Sequence, residues 1–231
     1  MQQQKYLIHG IPAIVWGAPA ERVYVFVHGK ASCKEEAERF AGLVAAKGCQ
    51  VVSFDLPEHG ERKDDPRACD VHNGIADLQM VMAFVRERWS RIDLFANSLG
   101  AYFSLMAYRD QHFEHCLFSS PILNMQRLIE NMMRWFNITP ERLEQERVIE
   151  TSFGEPLSWD YYTFVREHPV ERWDSPTAIL YPELDNLTEL AVVEDFAQRF
   201  GARVQTVPGS EHYLHTDAEL LVFDAWVAQH A

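Results

Sequence analysis

A chain of 231 residues can bury one substantial core, as a single domain or as a domain with an insertion, and 47% hydrophobic residues exclude an intrinsically disordered segment. Its 34 acidic residues outnumber 21 basic ones for a formal charge of −13, with no Lys/Arg run, so phosphate backbones and anionic lipid are repelled. Nucleic-acid and membrane-surface roles are set aside on that ground. No apolar run approaches the roughly 18 residues of a bilayer span, and the start lacks the apolar stretch of a signal peptide. Four cysteines (Cys33, Cys49, Cys69, Cys116) show no Cys-x-x-Cys spacing, which predicts free, mostly buried thiols and a cytoplasmic protein.

Short β-rich runs alternate with amphipathic helical ones. Residues 6–8 and 13–16, joined by a Gly-Ile-Pro turn, read as an opening pair of strands. Residues 23–27 (Val-Tyr-Val-Phe-Val) form the continuous apolar run that a parallel strand covered on both faces requires. A charged helix over 34–47 stops at Gly48, and a strand follows over 50–54. After a polar loop come a helix over 71–89, a strand over 91–96 leading into Ser98 and another helix, and a strand over 115–119. The tail continues as strand 177–181, helix 187–200, strand 202–207 and helix 217–230. Alternation at this spacing predicts βαβ units, hence a parallel sheet with helices on both sides.

One stretch breaks the rhythm. Residues 122–173 offer no good strand, only helix-like segments over 125–136 and 140–150, together with Trp135, Phe136, Phe153, Trp159, Tyr161, Tyr162, Phe164 and Trp173. An insertion there would sit over the strand ends, where open α/β sheets keep their ligand crevice.

Ala96-Asn97-Ser98-Leu99-Gly100 lies at a strand-to-helix junction and has the small-x-Ser-x-Gly form of a nucleophile elbow. Positions two before and two after the serine must be small because the turn brings them against neighbouring backbone. A serine hydroxyl needs a base within hydrogen-bond reach and a third group to orient that base. His212, in the loop after the last predicted strand, emerges at the same sheet edge; His215 is its rival. The carboxylate is expected after strand 177–181, where Asp185 is preferred over Glu183 because it sits deeper in the loop. The order Ser98, Asp185, His212 differs from that of the two main serine-protease folds. For a developing oxyanion, the Leu99 N–H comes with the elbow, and Lys30, after His28-Gly29, supplies a second N–H. Trp159 and Tyr162 from the insertion, and Tyr213 beside His212, are the candidate substrate contacts.

Five motifs in order now carry a resemblance: Val27-His28-Gly29, the run from Asp55 to Arg62 (Asp-Leu-Pro-Glu-His-Gly-Glu-Arg), Ala96–Gly100, Glu183-Leu184-Asp185-Asn186 and Gly209-Ser210-Glu211-His212. Together the chain resembles the α/β-hydrolase superfamily over nearly its whole length. The resemblance implies an α/β three-layer sandwich around an eight-stranded, mostly parallel sheet with one antiparallel strand. It also implies a helical cap between the sixth and seventh strands, giving a core of 1–121 and 174–231 around a cap of 122–173. No metal and no cofactor are expected. The run 55–62 would shape the site without doing chemistry. The elbow has Ala96 where many relatives have glycine, and the turn at 28–32 lacks the further glycines of many lipases.

The reading is a serine hydrolase that cleaves a small carboxylic ester. Amide, peptide or thioester hydrolysis on the same three residues, or a non-catalytic ligand-binding protein, are the alternatives. A small-molecule ester is the expected partner, with nucleic acid and membrane excluded and a homodimer left open as an assembly state.

Overall fold

The fully buried apolar runs form strands because both faces of the sheet are covered. In the computed structural model, which describes residues 1–152 and 154–231, the chain runs β1 (Gln3–Ile8), β2 (Ile11–Trp16), β3 (Arg22–Val27), α1 (Ala37–Ala45), β4 (Cys49–Phe54), α2 (Val71–Arg86), β5 (Arg91–Asn97), α3 (Leu99–Ala107) and β6 (Cys116–Ser119). There follow α4 (Met125–Trp135), α5 (Pro140–Glu146), β7 (Val148–Ile149), β8 (Leu157–Ser158) and α6 (Trp159–Glu167), then β9 (Thr177–Pro182), α7 (Leu190–Phe200), β10 (Arg203–Val207) and α8 (Asp217–His230).

Eight strands form one sheet in the order β1-β2-β4-β3-β5-β6-β9-β10. β2 is antiparallel to both its neighbours and the remaining pairs are parallel, as the resemblance implied. The chain leaves β3 toward β4 on one side and later returns to β5 on the other. The sheet order therefore reverses at β3, and a crevice opens at the C-terminal ends of β3 and β5.

Alternate residues sort to the two faces. Tyr24, Phe26, Val51, Phe95 and Leu117 join Phe40, Ala41 and Val44 of α1 and Trp226 and Val227 of α8 in one buried cluster. The intervening Val23, Val25 and Val27 are equally buried, and the Cγ1 of Val27 lies 2.9 Å from where a Cβ on Gly100 of α3 would be. α2 packs on α3 at Gly74, where an added Cβ would stand 2.6 Å from two ring carbons of Phe103.

The chain divides into two compact units, 1–123 with 172–231, and 124–171. The second unit is not purely helical, contrary to expectation: Arg147, at φ 66°, ends α5 after Glu146, and the chain turns into the antiparallel pair β7–β8. Phe153 lies outside the described residues. Other boundaries differ for local reasons. The helix expected from residue 34 opens as a separate 3-10 turn (Lys34–Glu36) whose lysine is buried, and α7 starts at residue 190 because Asp185 holds the amides of 187 and 188 in a preceding turn. Cys49 and Cys116 are buried free thiols, while Cys33 and Cys69 are only partly covered. Among the described residues no helix is long and apolar enough to cross a membrane.

Phe103 is fully buried and cannot swing away from position 74. Gly74→Ala should therefore destabilise the protein by about 1–3 kcal/mol of overpacking, less up to about 1 kcal/mol regained in helix propensity. Thermal melting should register a fall of several degrees.

Candidate active site

Three loops at one edge of the sheet converge. After β5 the chain reverses into α3 through Ser98, held at φ 48°, ψ −117°, a conformation that strains a residue with a side chain. Four backbone bonds hold the turn there: the Ser98 N–H donates to Ser119, its carbonyl accepts from Ala101 and Ile122, and Ser120 N–H donates to Leu180. Gly100 is required, since a Cβ there would lie 2.5 Å and 2.6 Å from the carbonyl oxygens of His28 and Val27. Gly29 is required from the other side, where a Cβ would meet Asn97 Oδ1 at 2.5 Å and Ser98 Cβ at 3.1 Å. The β3 exit thus lies directly against the serine.

Asp185 follows β9. Its Oδ1 accepts from the N–H groups of Leu187 (2.8 Å) and Thr188 (3.1 Å), which leaves Oδ2 for His212 Nδ1 at 2.8 Å. The carboxylate therefore both caps a turn and meets the imidazole. The His212 loop is laced to the β9 exit, because Glu183 accepts from Gly209 N–H (2.7 Å) and Leu184 N–H donates to Ser210 (2.8 Å). His212 Nε2 then lies 2.8 Å from Ser98 Oγ. With Asp185 as the acceptor at Nδ1, that nitrogen carries the proton, and the Nε2 lone pair faces the serine hydroxyl.

The rivals are engaged elsewhere. His215 points its Nδ1 at the Tyr213 carbonyl (2.9 Å) and stacks on the Tyr213 ring, and Glu183 serves the loop rather than the imidazole. Leu99 is the first residue of α3, where amides lack intrahelical partners and carry the positive end of the helix dipole. Lys30 lies in the turn between Gly29 and Ala31 with its side chain exposed. Tyr213 is largely exposed beside the site. Trp159 and Tyr162 belong to the 124–171 unit, where their rings meet at 5.9 Å and Tyr162 is buried against Glu130.

A feature the sequence did not announce is a reciprocal pair of imidazoles. His28, on the β3 exit, accepts from Leu56 N–H through Nε2 (3.1 Å), and its Nδ1 faces the Gly29 carbonyl (2.7 Å). His59, on the 55–62 loop, accepts from Ala31 N–H through Nε2 (3.0 Å), and its Nδ1 faces the Pro57 carbonyl (2.7 Å). Each loop thereby satisfies an amide of the other, and both imidazoles must be neutral to do so. Ala31 and Glu58 have left-handed backbone (φ 58° and 61°), which these bonds help to impose. Beneath them Lys34, fully buried, donates to Asp55 (2.7 Å) and pairs with Glu61 (2.9 Å) and Glu35 (3.0 Å). Burial pulls the Lys34 ammonium pKa down, but those carboxylates outweigh it and hold the group above the usual lysine range.

Among the described residues one cluster has metal-ligand types in reach of one another, Asp93, Glu114 and His115. It sits near the start of β5, away from Ser98. Arg22 already donates to Asp93 and contacts His115 Nδ1 at 2.8 Å, and Arg91 binds Glu114, so guanidinium groups neutralise it.

Burial, partly countered by the Gly29 carbonyl, pushes the His28 pKa down from 6.5 to about 4. Between those values the unfolded chain binds the proton that the folded chain refuses, so stability should fall as pH drops. The loss from pH 7 to pH 5 should be roughly 2 kcal/mol at this residue. Urea unfolding of the wild type and His28→Gln at both pH values checks this. The glutamine variant should lose clearly less, and equal losses would exclude His28 as the source.

Sequence and structure comparisons bear on the family and the fold. The sequence model of the alpha/beta hydrolase family matches residues 7–225. No curated protein matches the chain in sequence. Among solved structures, Est1E from Butyrivibrio proteoclasticus is similar at TM-score 0.75 and 15% identity, over 98% of this chain and 96% of that one. A putative hydrolase from Agrobacterium vitis S4 is similar at TM-score 0.78 and 14% identity, over 99% and 98%. An esterase from Pyrococcus furiosus is similar at TM-score 0.73 and 16% identity, over 99% and 89%. At these identities the likeness is one of fold, while the match along almost the entire sequence makes this chain a member of the alpha/beta hydrolase family.

Proposed function

We propose that the protein is a serine hydrolase acting on small carboxylic esters. The observation that carries this reading is the unbroken hydrogen-bonded chain Asp185–His212–Ser98, with 2.8 Å at each link. Ser98 Oγ attacks the ester carbonyl carbon while His212 Nε2 takes the hydroxyl proton. Asp185 holds the imidazole and stabilises its charged form. The tetrahedral oxyanion is met by the Leu99 and Lys30 amides, each such donor being worth on the order of 2.7–4 kcal/mol in the transition state. Collapse expels the alcohol, which receives the proton from His212 and leaves an acyl-Ser98. Water then attacks that acyl carbon, again giving its proton to His212, and the carboxylic acid leaves with Ser98 restored.

The esterases among the structural neighbours support an ester as the substrate, as does Est1E, one of whose structures holds ferulic acid. In this reading Tyr213, largely exposed beside the site, is a substrate contact from the core.

A small fluorophosphonate should label the wild type once, on Ser98, and should leave Ser98→Ala untouched. With p-nitrophenyl acetate as substrate, Ser98→Ala and His212→Ala should each lower kcat by at least about 10⁴-fold, and Asp185→Ala by a comparable or somewhat smaller factor. A folded wild type that the phosphonate never labels would overturn the reading.

A further inference from the structure

Beside the serine, entirely within the 1–123 and 172–231 unit, lies a cavity of about 140 Å³ on the α1–α8 face of the sheet. Its walls combine Phe26, Phe40, Phe95, Phe223, Leu214 and Leu220 with the polar side chains of His28, Ser32 and Ser119. The phenylalanines form a connected box, with Phe26 stacked on Phe95 at 4.7 Å, Phe40 tilted against Phe95 at 4.5 Å, and Phe223 edge-on to Phe95 at 5.9 Å.

One end of the cavity is built from residues that flank the reacting groups. Gly29 precedes Lys30, Asn97 precedes Ser98, and Tyr213 follows His212, and all three line it. The missing side chain at 29 is what leaves room there, since its Cβ would press on Ser98 Cβ and Asn97 Oδ1. Ser120 also lines this end, 1% exposed, held at φ 46°, with a hydroxyl that finds no partner among the described residues. A strained residue with an unsatisfied hydroxyl is unusual in a packed core and is the kind of feature found where a ligand binds.

The exposed Glu36 and Arg39 also line the cavity. Arg39 is spent on Asp224 through two 2.7 Å bonds, so among the described residues the lining offers no free Lys or Arg to an anionic group. Glu36 and the net charge of −13 further disfavour a carboxylate. The volume matches the roughly 150 Å³ cavity that accommodates one benzene ring.

We infer that this cavity is the acyl subsite, and that it takes an uncharged apolar acyl group the size of one aromatic ring or a chain of about six carbons. The inference rests on the serine-hydrolase reading and deepens it: it assigns the acyl part of the ester to the α1–α8 face of the core. Leu220, in the first turn of α8 and only partly buried, can be enlarged into the cavity, and Phe223 can be cut back to lengthen it.

The test is the kcat/KM profile of p-nitrophenyl acetate, hexanoate, phenylacetate and decanoate, with the leaving group held constant. Leu220→Trp should lower hexanoate and phenylacetate at least about tenfold relative to acetate, the range expected when a fitting group loses its pocket. Phe223→Ala should raise decanoate at least about tenfold relative to hexanoate. Fluorophosphonate labelling of Ser98 at the wild-type rate in either variant shows that the reacting groups are intact, so an unchanged acyl profile in such a variant overturns the subsite while the hydrolase reading stands. A Leu220→Trp variant that discriminates among alcohols of acetate esters, but not among acyl groups, also overturns it. Failure of the wild type to label at all removes both.

Discussion

Two chain segments at the rim come as close as backbone permits, and the site depends on that contact. The β3 exit runs over the first turn of α3 so tightly that position 100 has no room for a Cβ, and position 29 has none beside Ser98. The strain accepted at Ser98, about 1–3 kcal/mol for such a conformation, is held by ladder bonds from β6 and its exit. The same turn lifts the hydroxyl out of the sheet toward the His212 loop and sets the first amides of α3 beside it. Larger residues at 29 or 100 would push the segments apart and separate the groups that the proposed chemistry needs in register.

The second layer of support is polar and almost entirely buried. His28 and His59 tie the β3 exit to the 55–62 loop by exchanging acceptors for each other's amides, and the Lys34–Asp55 pair anchors the loop from below. Buried ion pairs of this kind contribute little net stability because desolvation offsets attraction, yet breaking one partner leaves an uncompensated charge. Their effect is to fix one geometry. In the proposed chemistry the turn that offers the Lys30 amide to the oxyanion gains from neighbours that cannot relax, since preorganised donors act without reorganisation in the transition state.

The parts legible in the sequence were those set by burial and by spacing. Runs such as 23–27 must be strands covered on both faces, and Ala96–Gly100 fits only a sharp strand-to-helix reversal, so the sheet and the serine followed. Asp185 and His212 followed from the chain order of loops at one edge, and the structure sets them 2.8 Å apart. What stayed hidden depends on partners far away in sequence. Lys34 looks like part of a solvated charged helix until Asp55 and Glu61 fold over it. His59 lies in the 55–62 run that the resemblance makes a shaper of the site, and nothing local shows that Ala31 N–H will meet it. The β7–β8 pair is two residues long on each side, too short for any period to show, and it arises because Arg147 ends the preceding helix. The phenylalanine box draws on β3, α1, β5 and α8 at once, and no window of sequence contains it.

The central claim is that Ser98 becomes covalently acylated with His212 as its base. Rapid mixing with a p-nitrophenyl ester, followed by quenched mass analysis, addresses it most directly. The account predicts a burst of nitrophenol stoichiometric with enzyme and the acyl mass on the peptide containing Ser98, with neither in His212→Ala. Ester turnover that proceeds with no adduct at Ser98 on any timescale of mixing, or unchanged in the His212 variant, would contradict it.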